Sequence, residues 1–288
     1  MRMTIEHTEE KRKGDVSFRC PVCGRALEKK EKALLCPEGH SFDISSKGYV
    51  NLLLANQKNS RLPGDDPASL AARRAFLEKG YYQCLSDGIN RTAIALTGEA
   101  PHVADCCCGE GYYIRRLCQA LAAGKQPDCL AFDISKKGVA MAASRRREEN
   151  IRFAAASVFN IPLPDGKLDL ALHCFAPFCA PELERVLKKG GCLLGVIPGR
   201  RHLFSMKKVL YDTPYENDEK GYTAQGFLLE DRIRVERETV LTSGEDIRSL
   251  FAMTPYYYRT SRRAAERLEK MEELPIEFEF IIQVFRKK

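Results

Sequence analysis

The plainest chemistry in this sequence lies near its start, where Cys20 and Cys23 are followed, twelve residues on, by Cys36 and then His40, giving C-x2-C-x12-C-x3-H. Two short knuckles separated by a hairpin-length segment bring three thiolates and one imidazole to a tetrahedral centre, which suits zinc. Four protein donors leave no open coordination position, so a structural ion is expected. Pro21 and Pro37 follow the first ligand of each half, and Gly24 and Gly39 permit the tight turns that a knuckle needs. A segment this short depends on its metal to fold.

A second constellation is the run Asp105-Cys106-Cys107-Cys108-Gly109-Glu110-Gly111, between an apolar strand-like stretch and a helix-like one. Glycines two apart at such a junction let backbone approach a ligand closely. The next strand-like run ends at Asp133, where a carboxylate would take a ribose diol. A dinucleotide fingerprint would carry a third glycine inside the helix, but the position three past Gly111 is Ile114. The acidic Asp105 also fits a cationic ligand such as S-adenosylmethionine better than a pyrophosphate. The thiols at 106 to 108 sit where thiolates are favoured, yet they read more simply as small buried groups at a strand end.

These residues need elements to hold them. HVADC (102 to 106), CLAFDI (129 to 134), IRFAAAS (151 to 157), LDLALHCF (168 to 175) and CLLGVIP (192 to 198) read as strands. Helical stretches over Tyr112 to Ala123, Lys137 to Glu149 and Pro181 to Leu187 alternate with them, which implies a parallel sheet covered by helices. Two helices between Leu70 and Leu96, interrupted at Gly80, precede it. Arg234 to Leu241 and Glu277 to Phe285 alternate apolar with polar residues like partly solvated strands, around a helix near Gly244 to Ala252. A mostly parallel, seven-stranded sheet with such a late pair is the Rossmann-like layout of class I methyltransferases. The expected organisation is an extension over 1–17, a zinc-binding module over 18–55, a linker or mobile loop over 56–69, and an S-adenosylmethionine-dependent domain over 70–288.

Composition is that of an ordinary globular chain: 288 residues, 44% hydrophobic and 30% charged, which argues against wholesale disorder or a fibrous chain. The formal net charge of +7 is compatible with a polyanionic partner without demanding one. No run approaches the roughly 20 apolar residues that span a bilayer, and the first residues hold no secretory signal, so a cytoplasmic protein is expected. In that compartment the 12 cysteines are not a disulfide framework.

An ordered series of short motifs then narrows the class: F-x-C-P-x-C with C-P-x-x-H-x-F-D, GYVNLL (48 to 53), PGD (63 to 65), ARRAFL (72 to 77), GYYQ (80 to 83), CGEGYY (108 to 113), PGRRHL (198 to 203) and MTP (253 to 255). In this series the chain resembles the RlmA (RrmA) family of 23S rRNA guanine-N1 methyltransferases over essentially all of residues 18 to 288. The resemblance implies S-adenosylmethionine as donor and a guanine in a hairpin loop of domain II of the large-subunit rRNA as substrate. It also implies a homodimer with a shared RNA cleft. It assigns the zinc ligands to Cys20, Cys23, Cys36 and His40, and cofactor contacts to Tyr82, Gly109, Glu110 and His202. Asp105, Gly111 and Asp133 complete the expected cofactor set on the general class I pattern. One departure stands in the loop, where Cys107 occupies the first glycine position of the usual D-x-G-x-G-x-G. If that position needs positive φ, the side chain costs roughly 1–2 kcal/mol.

No residue is assigned as the acceptor of the guanine N1 proton. Phe175, at the carboxyl edge of the fourth core strand, could stack on the target base or pack in the core. RNA phosphates would meet Lys29, Lys30, Lys32, Lys58, Arg61, Arg73, Arg74, Arg200, Arg201, Lys207 and Lys208, contacts that set affinity and salt dependence rather than sequence choice. Tyr256-Tyr257-Tyr258-Arg259 reads as stacking surface or as ordinary packing. Two rival functions remain open at this level: a small-molecule methyltransferase, and a noncatalytic RNA-binding factor whose cofactor site Cys107 has weakened.

Overall fold

The continuous apolar runs form the middle of an eight-stranded sheet. In the computed structural model the described residues are 16–54, 66–145 and 151–288. The strands are β1 (Glu28–Lys30), β2 (Ala33–Leu35), β3 (Ser41–Asp43), β4 (Tyr49–Asn51), β5 (His102–Cys106), β6 (Asp128–Asp133), β7 (Ile151–Ala155), β8 (Leu168–Cys174), β9 (Leu187–Pro198), β10 (Phe227–Leu241) and β11 (Leu274–Lys287). The helices are α1 (Pro67–Glu78), α2 (Gln83–Leu96), α3 (Tyr112–Ala122), α4 (Lys136–Ala143), α5 (Ala180–Val186), α6 (Phe204–Leu210), α7 (Gly244–Ala252) and α8 (Arg262–Glu269), with a 3-10 turn over Pro255–Tyr258.

The large sheet runs β10-β11-β9-β8-β5-β6-β7-β4, parallel except for the antiparallel pairs that β11 makes with β9 and β10. From β5 the chain goes to β6 on one side and later to β8 on the other, so the carboxyl end of β5 faces the switch point where open α/β sheets bind ligands. Alternate side chains serve two cores. Val103, Cys129 and Ala131 face the helical side with α1, α2 and α3, while Ala104, Leu130 and Phe132 face a second core with α5. That second core also receives Phe18, Cys20, Leu27 and Cys36, so the cysteine-rich segment covers one face of the sheet.

Several expectations change in detail. The expected seven strands are joined by an eighth, β4, from the GYVNLL segment, which pairs in parallel with β7 through Tyr49↔Phe153 to Asn51↔Ala155. The expected linker ends early, since α1 starts at Pro67 with the Asp66 carboxylate accepting from the Ala68 and Ser69 amides. Residues 55–65, with the PGD motif, lie outside the described residues, as do 1–15 and 146–150. The helix expected over Lys137 to Glu149 is observed as α4, ending at Ala143. β11 is not the partly solvated strand its alternation suggests: it lies between β10 and β9 and is largely buried, including Glu279 and Gln283. Their side-chain oxygens find partners outside the sheet, Glu279 Oε2 accepting from the Arg201 amide and Gln283 Oε1 from the Tyr222 amide, while Gln283 Nε2 has no hydrogen-bond partner among the described residues.

Candidate metal centre and cofactor site

The two knuckles are built alike. The Cys20 amide donates to Arg25 O and the Gly24 amide to Cys20 O, while the Cys36 amide donates to His40 O and the Gly39 amide to Cys36 O. Gly24 and Gly39 hold φ of 76° and 82°, which glycine adopts without penalty. The ligand atoms of Cys20, Cys23, Cys36 and His40 all lie within 4.8 Å of one another. Cys23 Sγ is 3.5 Å from Cys36 Sγ, which is 3.3 Å from His40 Nδ1. Against the burial that raises it, hydrogen bonds from His40 bring the Cys36 thiol down to about 7. Three thiols and an imidazole closing on one point are the donor set of a closed zinc site.

The second cluster is at the carboxyl end of β5. The Cys107 and Cys108 amides both donate to Phe132 O, at 2.9 and 3.0 Å, so the loop is tied to β6. Cys107 has φ of 88°, the left-handed region that a β-carbon disfavours, so the cost anticipated for this position applies. Gly111, at φ 82°, caps α3, and a β-carbon there would stand 2.9 Å from Ala142 Cβ. Asp133 Oδ2 accepts from the Gly109 amide at 2.9 Å and Oδ1 from the Ser135 amide at 2.8 Å. The thiols of Cys106, Cys107 and Cys108 are all pushed well up, first by burial, which fits small core groups rather than reactive thiolates.

The carboxyl groups of this loop are crowded and poorly compensated. Asp105 and Glu110 are buried, and Asp105 Oδ1 has no hydrogen-bond partner among the described residues. Burial, then the carboxylates of Asp133 and Glu110, push Asp105 well above the usual carboxylate range. A buried acid in that condition is relieved by a positive ligand. The ammonium and sulfonium of S-adenosylmethionine answer this need, and an anionic pyrophosphate does not.

Tyr82 and His202 come together from opposite parts of the chain. Tyr82 precedes α2 inside a cage of Phe76, Phe278 and Phe280, and His202 lies before α6. The Glu279 amide donates to His202 Nδ1 at 3.2 Å, which places the imidazole proton on Nε2, 3.3 Å from the Tyr82 oxygen. Nε2–H therefore donates to the phenol, and the phenolic O–H is left to donate elsewhere. Burial, then the Lys207 charge, hold His202 down to about 3, and burial drives the Tyr82 phenol far up, so both stay neutral.

The expected RNA-facing residues divide. Lys29, Lys30 and Lys32 are exposed on or beside β1, whereas Lys58 and Arg61 lie outside the described residues. Arg74 pairs with Glu78 at 3.0 Å. Lys207 cannot meet phosphate, because it is fully buried with its ammonium donating to Tyr215 O and Asn217 Oδ1 at 3.0 and 2.6 Å. Arg73 lies against the glycine loop instead: a β-carbon on Gly109 would sit 3.3 Å from Arg73 Nη1, and the guanidinium lowers the Tyr82 phenol against its burial. Its sequence assignment among the RNA-phosphate contacts gives way to this placement, which the docking of α1 produces. Phe175 is 44% exposed with φ of 53°, its amide donating to Val196 O at 3.1 Å, so it is not a core aromatic.

The parallel sheet with its reversed last strand and acid-lined glycine loop defines a class I methyltransferase. Comparison with known proteins agrees. Residues 18–61 match the RlmA N-terminal zinc-ribbon family and residues 103–191 a methyltransferase domain family. The chain is 36% identical over 196 residues to the 23S rRNA (guanine(748)-N(1))-methyltransferase of Streptomyces fradiae, covering 67% of each protein. It is 34% identical over 204 residues to a Bacillus subtilis (strain 168) protein provisionally named 23S rRNA (guanine-N(1)-)-methyltransferase, covering 68% of this chain and 70% of that one. Among solved structures, the YcgJ protein of B. subtilis overlaps 70% of this chain and 97% of its own at 14% identity and a TM-score of 0.44. The chain belongs to the family of 23S rRNA (guanine-N1)-methyltransferases that carry an RlmA-type zinc ribbon.

Proposed function

We infer that this protein transfers a methyl group from S-adenosylmethionine to N1 of a guanine in a hairpin loop of 23S rRNA domain II, acting in the cytoplasm as a homodimer. The observation that carries this reading is the coexistence, on one sheet, of an acid-lined glycine loop and a closed Cys3His cluster. A small-molecule enzyme of this fold has no need of the second.

Zinc held by Cys20, Cys23, Cys36 and His40 fixes the knuckles against the sheet and takes no part in the chemistry. Bound S-adenosylmethionine supplies an electrophilic methyl group. Asp105 and Glu110 neutralise the cofactor's positive charge, Asp133 takes its ribose hydroxyls, and Gly109 and Gly111 keep the loop backbone close. The O–H of Tyr82 is a donor for its carboxylate, with His202 orienting the phenol, and Arg73 lies beside Gly109 of the same loop. Guanine N1 lies on the Watson–Crick edge, so only an unpaired, extruded base can be reached. Phe175 stands at the carboxyl edge of β8, beside the loop that follows β5, and offers that base a stacking face. Alignment of base and methyl group supplies much of the rate, up to roughly 7–11 kcal/mol.

Primer extension on 23S rRNA from cells with and without the gene tests this reading. The expected result is a stop at one domain II guanine that disappears with the gene. Identical patterns would refute it. Light scattering tests the homodimer.

A further inference from the structure

The 3-10 turn after α7 displays aromatic rings that the methyl-transfer site does not use. Tyr257 and Tyr258 are 47% and 64% exposed, and Tyr215, on the segment after α6, is 50% exposed. The rings are nonetheless fixed. Tyr257 packs edge-on against Phe251 at 5.3 Å, Tyr258 edge-on against Tyr257 at 5.3 Å, and the Tyr258 hydroxyl donates to the Asp66 carboxylate at the start of α1. Beneath Tyr215 lies the buried Lys207, its ammonium 4.2 Å from the ring centroid and 5.5 Å from that of Tyr256. Burying an ammonium is costly unless it is well held, and here it holds the Tyr215 segment in place through Tyr215 O and Asn217 Oδ1.

Positive charge follows these rings along the chain, Arg259 directly after Tyr258 and Arg263 in the first turn of α8. Arg259 and Arg263 are exposed and make no ion pair among the described residues, and Arg259 is close enough to Tyr215 to act on its phenol. Three carboxylates around them are engaged: Asp66 with Tyr258, Glu266 with Arg262, and Glu216 with Arg200 and Arg201. Tyr256 backs this surface, packed against the helical core and edge-on to Tyr211 at 6.2 Å. Rigid exposed rings beside unpaired guanidinium groups are the composition that binds unpaired nucleotides, rings taking bases and arginines taking phosphates.

We propose that Tyr215, Tyr257 and Tyr258, with Arg259 and Arg263, form the surface on which unpaired nucleotides flanking the target guanine stack. The proposal rests on the inference that the substrate is 23S rRNA. Fluorescence anisotropy with a labelled transcript of the domain II hairpin tests it, alongside calorimetry with S-adenosylmethionine. Tyr215→Ala and Tyr257→Ala are each expected to weaken RNA binding about tenfold, with Phe restoring it, while cofactor affinity stays within twofold of wild type. Arg259→Ala should reduce the slope of log affinity against log salt by about one. Alanine variants that bind the transcript as tightly as wild type, or lose cofactor binding in step with RNA binding, would overturn the surface. Wild-type protein that ignores the transcript would overturn the rRNA reading, and the surface with it.

Discussion

His202 donates from Nε2 to the Tyr82 oxygen across 3.3 Å because its other ring nitrogen is occupied by the Glu279 amide. The backbone of β11 thereby sets the tautomer of the imidazole packed against it, and the tautomer decides where the phenolic proton points. Tyr82→Phe removes that donor while keeping a ring in the cage of Phe76, Phe278 and Phe280. S-adenosylmethionine affinity should fall about tenfold or more by calorimetry. The Nε2–H left without an acceptor should cost about 1–3 kcal/mol of stability. Unchanged affinity would show that the phenol does not reach the cofactor.

The same pair predicts a pH signature. His202 is held down to about 3 against an ordinary value of 6.5, so between those limits the unfolded chain binds the proton that the folded chain refuses. Its contribution to stability is complete above about pH 6.5 and is lost progressively as pH falls. Asp105, raised in the folded state, has the opposite sign, so the group must be isolated by difference. Thermal melts of wild type and His202→Gln should show the wild-type advantage shrinking between pH 7.5 and pH 5. A constant gap would contradict the assignment.

Much of this site could be read from the sequence, for definite reasons. Metal-ligand spacing survives any detail of folding, and the Cys20, Cys23, Cys36 and His40 atoms converge as their spacing requires. Buried parallel strands are near-continuous apolar runs, so β5 to β9 could be found from hydrophobicity alone. β11 is less legible, because alternation cannot distinguish a solvated strand from one whose polar side chains accept from partners elsewhere in the chain, as those of Glu279 and Gln283 do. The side-chain direction of Lys207 and the approach of Arg73 to Gly109 are tertiary facts that no local pattern carries. The same holds for β4, a three-residue strand that pairs only because β7 presents a free edge.

Cys107 provides a test of strain. At φ 88° its β-carbon costs roughly 1–2 kcal/mol, and glycine removes that cost while adding about 0.5–1 kcal/mol of lost chain entropy. Cys107→Gly should therefore leave the melting temperature within a few degrees and leave cofactor affinity unchanged or tighter. A marked loss of affinity would show that the thiol itself serves the site.

Zinc removal should act locally. The knuckles depend on the metal, but the large sheet has its own helical core on the opposite face. Chelation at neutral pH should abolish RNA binding and expose the Cys20, Cys23 and Cys36 thiols to alkylation, while most far-ultraviolet dichroism persists. Cooperative unfolding of the whole chain on chelation would show that the two parts fold as one.

Methyl transfer to guanine N1 is tested most directly by its product. Purified zinc-loaded protein, S-adenosylmethionine and a transcript of the domain II hairpin should yield N1-methylguanosine, identified by mass spectrometry of the nuclease-digested RNA, with Asp105→Asn and Tyr82→Phe reducing the yield. A digest without N1-methylguanosine, or one carrying the methyl group on another atom, would contradict it.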